Sequence, residues 1–537
     1  MLLCSRSSLI YFVIGVTAAI SCMIYLRLTF TDLTFQNNAE AEEASHTNTM
    51  PKPIIVVGSG LAGLSAAYEA LKRDAKVHML DRAAKPGGNS IKASSGINGA
   101  GTRFQYAKNI TSDNSESFYA DSVRSAGQRL SSSSQAQAGG ALGESERKAL
   151  IELLTSQSAE AVHWLMDELS VDLTTVAQLG GHSIPRTHRG TFGPPPGAAI
   201  VSALLKTLRA EEGFTLTHSA EVEALTVSED GKVNGVRYTA NGETHELHGP
   251  VVFAAGGFAG DAHGLLAKHR PDLAGMPSTN EARPAPHGIL AAVGAEFVDM
   301  DSVQIHPTGF VDPKDRGAVY KFLAAEALRG EGGILLSADG KRFVNEMERR
   351  DVASDAIMKL PRAKDKGLGD GVRQWDVTLL LDPGAAEATG THLGFYLFKD
   401  LMQKKKVKDL PPAMIEAVDR YATAVAAGVD PDFGRQSFGS WRLPAGEANR
   451  EEEVAVGTVT PVTHFTMGGV AFNTKAQVLG RKGGEGEGGG VLEPIQGLWA
   501  AGEITGGIHG DNRLGGSSLL ECAIFGRIAG AGAALNV

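Results

Sequence analysis

Hydrophobic and polar positions along this chain switch between an unbroken or alternating pattern and a helical one, with a period of about 3.6 residues. Ile54 to Val57 is a β-branched run with no polar interruption, the pattern of a strand buried on both faces. Leu64 to Leu71 is Ala-rich and reads as a helix, and Val77 to Leu80 reads as a second strand ending in Asp81. Ala149 to Leu169 is amphipathic at helical spacing, with Leu150, Leu154, Ala161, Trp164 and Leu165 on one side, which predicts core packing. Phe214 to Leu247 alternates in strand-like runs, broken by the hairpin signals Glu229-Asp230-Gly231 and Asn241-Gly242. Val251 to Gly257 (VVFAAGG) reads as another buried strand running into glycines, and Leu519 to Ala529 as a helix. Strand, helix and strand in succession predict an α/β architecture.

Several regions carry no such pattern. Asn109 to Gly143 is Ser-rich, including Ser131 to Ser134, and reads as surface helix and loop. Leu179-Gly180-Gly181-His182-Ser183 and Pro185-Arg186-Thr187-His188-Arg189 form a basic, loop-like stretch, for which a solvated loop is the bland alternative to a functional one. Gly483 to Gly490 (GGEGEGGG) is low in complexity and reads as a flexible hairpin tip. At the other end, Leu9 to Leu26 is uncharged and apolar between Arg6 and Arg27, long enough to cross a bilayer. With no clear small-x-small cleavage site after it, an uncleaved signal anchor is favoured over a cleaved signal peptide, and mitochondrial targeting is the third option. Asp32 to Pro51 is a polar, patternless linker.

Composition narrows the chemistry. A chain of 537 residues is too long for one small core and suggests two or three lobes. Its net charge of −10 supplies no basic excess to displace the counterions of a nucleic acid. Cys4, Cys22 and Cys522 are the only cysteines, too few for a disulfide framework, a zinc site or an iron–sulfur cluster. Any redox chemistry then belongs to a bound organic cofactor. The 66 glycines suit close backbone approach to a large one.

The motif at Gly58, Gly60 and Gly63 meets that need. Its G-x-G-x-x-G spacing lies between the first strand and the Ala-rich helix, the context in which such a turn cradles a pyrophosphate. Gly58 allows the turn, Gly60 lets backbone approach the phosphates, and Gly63 lets helix and strand pack closely. The helix N-terminus at Leu61 and Ala62 adds free N–H groups. Asp81, followed by Arg82, stands about where a ribose hydroxyl would find an acceptor.

GGNSIKASSGING, after that motif, resembles the soluble fumarate reductases of the flavoprotein family that includes succinate dehydrogenase. The resemblance covers about Pro53 to the C-terminus. It implies an α/β fold, a Rossmann-like FAD-binding domain with an inserted α+β capping domain. The corresponding boundaries are 1–50 for anchor or signal plus linker, 51–300 and 465–537 for the FAD-binding domain, and 301–464 for the cap. In the family, Gly88, Asn89, Ser90, Ser94, Ser95, Gly96, Ile97 and Asn98 wrap the flavin, and Gly256 and Gly257 approach it. Membrane-bound relatives carry a histidine here that bonds covalently to the flavin; this chain has Ser and Lys92, which implies non-covalent FAD. GLWAAGE and GGIHGDNRLGGSSLLECAIFGRIAG complete the match. They imply that Glu503 touches the ribityl or ribose region, and that Arg513, Gly516, Ser517 and Leu519 lie near the flavin ring.

Reducing an alkene between two carboxylates requires a neutralised dianion, a hydride to one carbon and a proton to the other. Carried over by motif, His464 (VTHFTMGG) and Arg513 (DNRLGG) would bind one carboxylate, and His306 (QIHPTGF) the other. Arg350 (MERRD) would donate the proton, and Glu326 and Arg329 (AEALRG) would resupply it. Ala325 stands where several relatives carry a threonine that bonds substrate, so the second carboxylate pocket departs from the family pattern. The implied partners are fumarate and succinate, a small reduced-flavin-type electron donor, and a membrane through the N-terminal segment. The expected state is a monomer, in the endoplasmic reticulum or another secretory compartment. A relative acting on another unsaturated acid, an amino acid or a steroid, or a catalytically silent flavin-binding protein, are the alternatives.

Overall fold

A computed structural model describes residues 52–131, 142–364, 368, 371–482 and 490–537. The apolar segment Leu9 to Leu26, the linker after it, the serines after Ser131 and the glycine-rich 483–489 lie outside the described residues. Among the described residues, no helix is long and apolar enough to cross a membrane.

A six-stranded sheet organises the chain, in the order Gln477–Lys482, Val491–Ala500, Val251–Phe253, Ile54–Val57, Val77–Asp81 and Phe214–His218. Five of these strands run parallel, and Gln477–Lys482 closes one edge antiparallel. The uninterrupted apolar run Ile54–Val57 is central because both its faces are covered. Ile54 and Val56 pack with the helices, while Ile55 and Val57 pack with Val222, Val236 and Leu498 on the other face. Helix Leu61–Leu71 leaves the first strand through the glycine turn, and Gly58 takes φ +103°, a conformation open to glycine. A Cβ at Gly63 would collide with the Gly58 carbonyl, so the close helix–strand approach rests on that missing atom. The C-terminal helix Ser517–Ala534 packs on the same helix, and Gly526 and Gly530 let it ride on the Ala62 and Ala66 carbonyls. The hairpins predicted around Asp230 and Asn241 form between Ala220–Val227, Val233–Ala240 and Glu243–His248. Lys482 pairs with Val491 on either side of the 483–489 segment.

A second, antiparallel sheet has its own apolar core around Phe310, Leu335, Trp375, Leu379 and Tyr396. Its order is Val303–Phe310, Glu453–Thr466, Val377–Leu381 and Ile334–Leu336, with Gln403–Lys406 paired to Glu453–Thr466. The long strand Glu453–Thr466 runs back toward the first sheet, where the Thr466 N–H donates to Glu503 at 3.0 Å.

Two readings are resolved by burial. The amphipathic stretch from Ala149 to Leu169 packs in the core as expected, its five apolar positions all buried, on two helices, Glu144–Ser156 and Ser158–Asp167. The basic stretch from Leu179 to Arg189 is no solvated loop: His182, Arg186, His188 and Arg189 are buried, and Thr187–Arg189 is a strand. Arg186 is fully buried because Asp113 and Asp121 meet it at 2.7 and 2.5 Å. Those acids come from the serine-rich region that reads as surface, so charge pairing buries both segments together.

Candidate active site

The glycine turn and its neighbours form a cradle whose open places match a bound group. A Cβ on Gly256 would meet nothing within 4 Å, and one on Gly60 only the Ser90 hydroxyl at 3.6 Å, so both backbones face open space. A Cβ on Gly257 would collide with Glu503, and one on Gly516 with Asn98, which lets these segments converge. Ser90 Oγ accepts from the Leu61 N–H at 3.0 Å and ties the second glycine loop to the helix start. Asn98 Nδ2 donates to the Gly515 carbonyl at 2.8 Å and to Ser517 Oγ at 3.0 Å. Ile97 pairs with His188, and a Cβ on Gly96 would strike the same strand, so Ser94 to Asn98 is held from behind. Ser94 Oγ is buried with no protein partner. A polar, glycine-lined cleft with an orphan hydroxyl fits a dinucleotide cofactor such as FAD.

Asp81 accepts from the Ser59 N–H at 2.8 Å, from the Ser59 hydroxyl and from the Ala83 N–H at 2.7 Å, and thus braces the glycine turn. Its remaining lone pairs leave room for one more donor. Arg82 is tied to the Pro284 carbonyl at 2.9 Å, Asn89 bonds Asn280, and Leu519 is buried in the main core.

Burial pushes the Glu503 carboxyl up to about 7, against the Thr466 N–H that lowers it. A carboxyl raised in the folded state binds more protons there than in the unfolded chain, so stability falls from pH about 4.5 to about 7 and then levels. Glu503→Gln in the flavin-stripped protein is therefore expected to flatten that slope, gaining about 3 kcal/mol at pH 8 and little at pH 4.5, by urea unfolding.

The second sheet delivers the remaining residues. Gln304 lies opposite Phe465 and Ile305 opposite Thr463, so His464 is an extra residue in a β-bulge. A second irregularity follows His306 at Pro307, a residue that cannot donate to the ladder. The two bulges bring the rings of His306 and His464 to 5.2 Å. His464 Nδ1 bonds Thr279 Oγ1 at 2.9 Å, while His306 Nε2 is buried without a hydrogen-bond partner. Burial, then the charges of Arg350 and its neighbours, push both histidines well below their usual range, so both are neutral.

Arg350 opens helix Arg350–Met358 and is buried. Its Nε and Nη2 donate to Glu326 Oε2 at 2.8 and 2.5 Å, and its Nη1 donates to Gln304 Oε1 at 2.7 Å. Gln304 Nε2 in turn donates to the Arg513 carbonyl at 2.7 Å. Burial alone would raise the Glu326 carboxyl, but Arg350 and Arg329 hold it down to about 2. Arg329 lies 3.9 Å from Glu326, and its Nε and Nη2 are buried without hydrogen-bond partners. Arg513 sits 4.3 Å over the Phe465 ring with its Nε unpartnered, and burial with the Arg350 charge pushes it down to about 9. Ala325 is fully buried, and its N–H donates to the Tyr396 hydroxyl at 3.1 Å.

All six residues expected to carry chemistry thus belong to one cluster, five of them buried and His464 partly exposed. Gly180 and His182, from the stretch that the sequence leaves open between loop and function, join the cluster, and sequence reasoning missed one more member, Gln304. Gln304 stands two residues before His306 on one strand, the spacing that puts alternate side chains on one face, and that signal was available. No local pattern decides between the two readings of the Gly180 and His182 stretch, since the Glu326 and Gly515 contacts reach more than a hundred residues along the chain.

Residues 53–519 match the family described as FAD binding domain. The chain is 39% identical over 501 residues to a protein of Schizosaccharomyces pombe named fumarate reductase, covering 89% of this chain and 88% of that protein. It is 40% identical over 500 residues to fumarate reductase 1 of Saccharomyces cerevisiae, covering 89% and 97%. The open conformation of a flavocytochrome c3 fumarate reductase superposes with a TM-score of 0.65 at 30% identity, covering 90% of this chain and 78% of that one. By cradle, sheet order and matched length alike, this chain belongs to the FAD-binding flavoprotein family, in the branch that holds the fumarate reductases of the two yeasts.

Proposed function

We propose that this protein is an FAD-dependent fumarate reductase in which Arg350 is the proton donor. The observation that carries the reading is the charge balance of the buried cluster. Arg350, Arg329 and Arg513 share it with Glu326, and His306 Nε2 and Arg513 Nε lack protein partners. Buried cations without counter-charge are costly, and a dicarboxylate dianion would neutralise them.

His464 and Arg513 hold one carboxylate, the guanidinium offering a planar fork that fits it. His306 holds the other and turns it out of the alkene plane, which leaves the neighbouring carbon more electrophilic. The glycine turn and the Ser90 to Asn98 segment would hold FAD non-covalently, and the reduced cofactor would supply the hydride chemistry that the electrophilic carbon needs. Arg350 gives its proton to the other carbon, where a developing carbanion is basic enough to take it. Glu326, in contact with Arg350, returns a proton, and Arg329 feeds Glu326. Residues 301–464 act as the cap over the flavin. The absence of a residue set for haem or iron–sulfur ligation from the cysteine inventory favours a small reduced-flavin-type electron donor. A monomer held to a secretory-pathway membrane by Leu9 to Leu26 completes the reading.

The test is purified protein lacking residues 1–50, its flavin identified and reduced under anaerobic conditions. Mixing with fumarate is expected to reoxidise the flavin rapidly, whereas a crotonate-like monoacid leaves it reduced. Equal reoxidation by both acids, or none by fumarate, overturns the assignment.

A further inference from the structure

His182 is a buried histidine for which the chemistry above has no use. Its Nδ1 lies 3.0 Å from Arg186 Nη1 and its Nε2 lies 3.0 Å from the Gly515 carbonyl. A guanidinium has donors only, so Nδ1 must accept, and the ring proton must sit on Nε2, where it donates to Gly515. Arg186, locked between Asp113 and Asp121, thereby dictates the tautomer.

The carbonyl that receives this proton belongs to the residue packed against the proton relay. A Cβ at Gly515 would lie 2.6 Å from Glu326 Oε2 and 3.1 Å from Arg350 Nη2. The residues just before His182 hold the same pair from other sides. The Gly180 N–H donates to Glu326 Oε1 at 2.8 Å, and the Gly181 N–H donates to the Met347 carbonyl at 3.1 Å, three residues before Arg350. Ser183 fastens the far end through its N–H and hydroxyl to Asp121 Oδ2, both at 2.8 Å. One short segment therefore touches the relay carboxylate, the approach to Arg350 and the helix Ser115–Ala126 that carries Asp121.

We propose that His182 is a positioning residue for proton transfer: its Nε2–H fixes the Gly515 backbone against the Glu326–Arg350 pair and keeps that pair aligned for transfer. This rests on the proton-donor role proposed for Arg350. The groups facing the ring are Arg186, Asp121 and Glu326, with Phe118 at 6.2 Å. Burial and the Arg186 charge push the imidazole down to about 4, so the Nε2 donor persists across neutral pH.

The test uses the holoenzyme with His182→Phe, which keeps a planar ring but neither donor nor acceptor, and His182→Gln, which keeps one of each. The Phe variant is expected to lose about ten-fold in kcat while KM for fumarate stays within about two-fold, because misalignment slows the transfer and the carboxylate contacts remain. Its solvent deuterium isotope effect on kcat rises as proton transfer becomes limiting, and Gln restores kcat to within about three-fold. FAD affinity, by fluorescence titration, and melting temperature of the flavin-free protein change equally in the two variants. The proposal is overturned if the Phe variant keeps wild-type kcat and isotope effect, if Gln and Phe lose kcat equally, or if the loss follows weakened FAD binding. Arg350→Ala separates the two readings: if it is inactive while His182→Phe is unaffected, only the positioning role falls.

Discussion

Arg350→Ala is expected to lower turnover with fumarate by about three to four orders of magnitude while FAD stays bound, since a positioned general acid contributes about that much. The guanidinium is committed on two sides, to Glu326 through Nε and Nη2 and to Gln304 through Nη1. Its removal also leaves Glu326 with Arg329 at 3.9 Å as its nearest cation, so proton resupply fails with proton donation. Arg350→Lys keeps the charge, but an ammonium is a point donor that cannot span both acceptors as the planar fork does. It is expected to restore little of the rate. Steady-state turnover beside the flavin absorbance of the same samples decides the matter, and an alanine variant within ten-fold of wild type would sink the assignment.

Arg513→Met is expected to move activity and stability in opposite directions. Catalytic efficiency with fumarate falls about a thousand-fold, mostly through KM, because a buried charge-assisted contact to a carboxylate is lost. The flavin-free protein becomes more stable by about 1–4 kcal/mol, since an apolar side chain of similar length no longer strands a charge. The sign follows from the titration. Arg513 is pushed down to about 9, so the folded state holds this proton less tightly than the unfolded chain. That cost is constant at neutral pH and declines only as pH rises above about 9, so the variant's advantage shrinks at alkaline pH. Urea unfolding at pH 7 and pH 10 reads the stability arm. A variant that is both less stable and fully active would remove Arg513 from the substrate site.

The opposite signs have a structural cause. Between the two irregularities of the His306 and His464 strands, the fold leaves polar atoms buried and unpartnered, among them His306 Nε2 and Arg513 Nε. Such atoms lower stability until a ligand satisfies them. Gln304 shows how the cluster tolerates this arrangement: one amide accepts from Arg350 and donates to the Arg513 backbone, holding two cations in register without neutralising either.

What can be read from the residues alone is what depends on local backbone demands. The run Ile54–Val57 could only be a strand covered on both faces, and Gly58 and Gly63 stand where a turn and a close packing contact exclude a side chain. Arg350, Glu326, Arg329, His306, His464 and Arg513 were identifiable because each lies within a recognisable stretch of its own. Tertiary structure decided how they meet. Which strand bulges at His464 depends on the register of Val303–Phe310 against Glu453–Thr466, and no local pattern encodes a register between distant segments. The burial of Arg186 depends on Asp113 and Asp121, and the tautomer of His182 depends on Arg186. A charged, aperiodic stretch reads as solvated when its counter-charges are unknown; here they come from another part of the chain, and pairing them in the interior turned a loop into the support of the site.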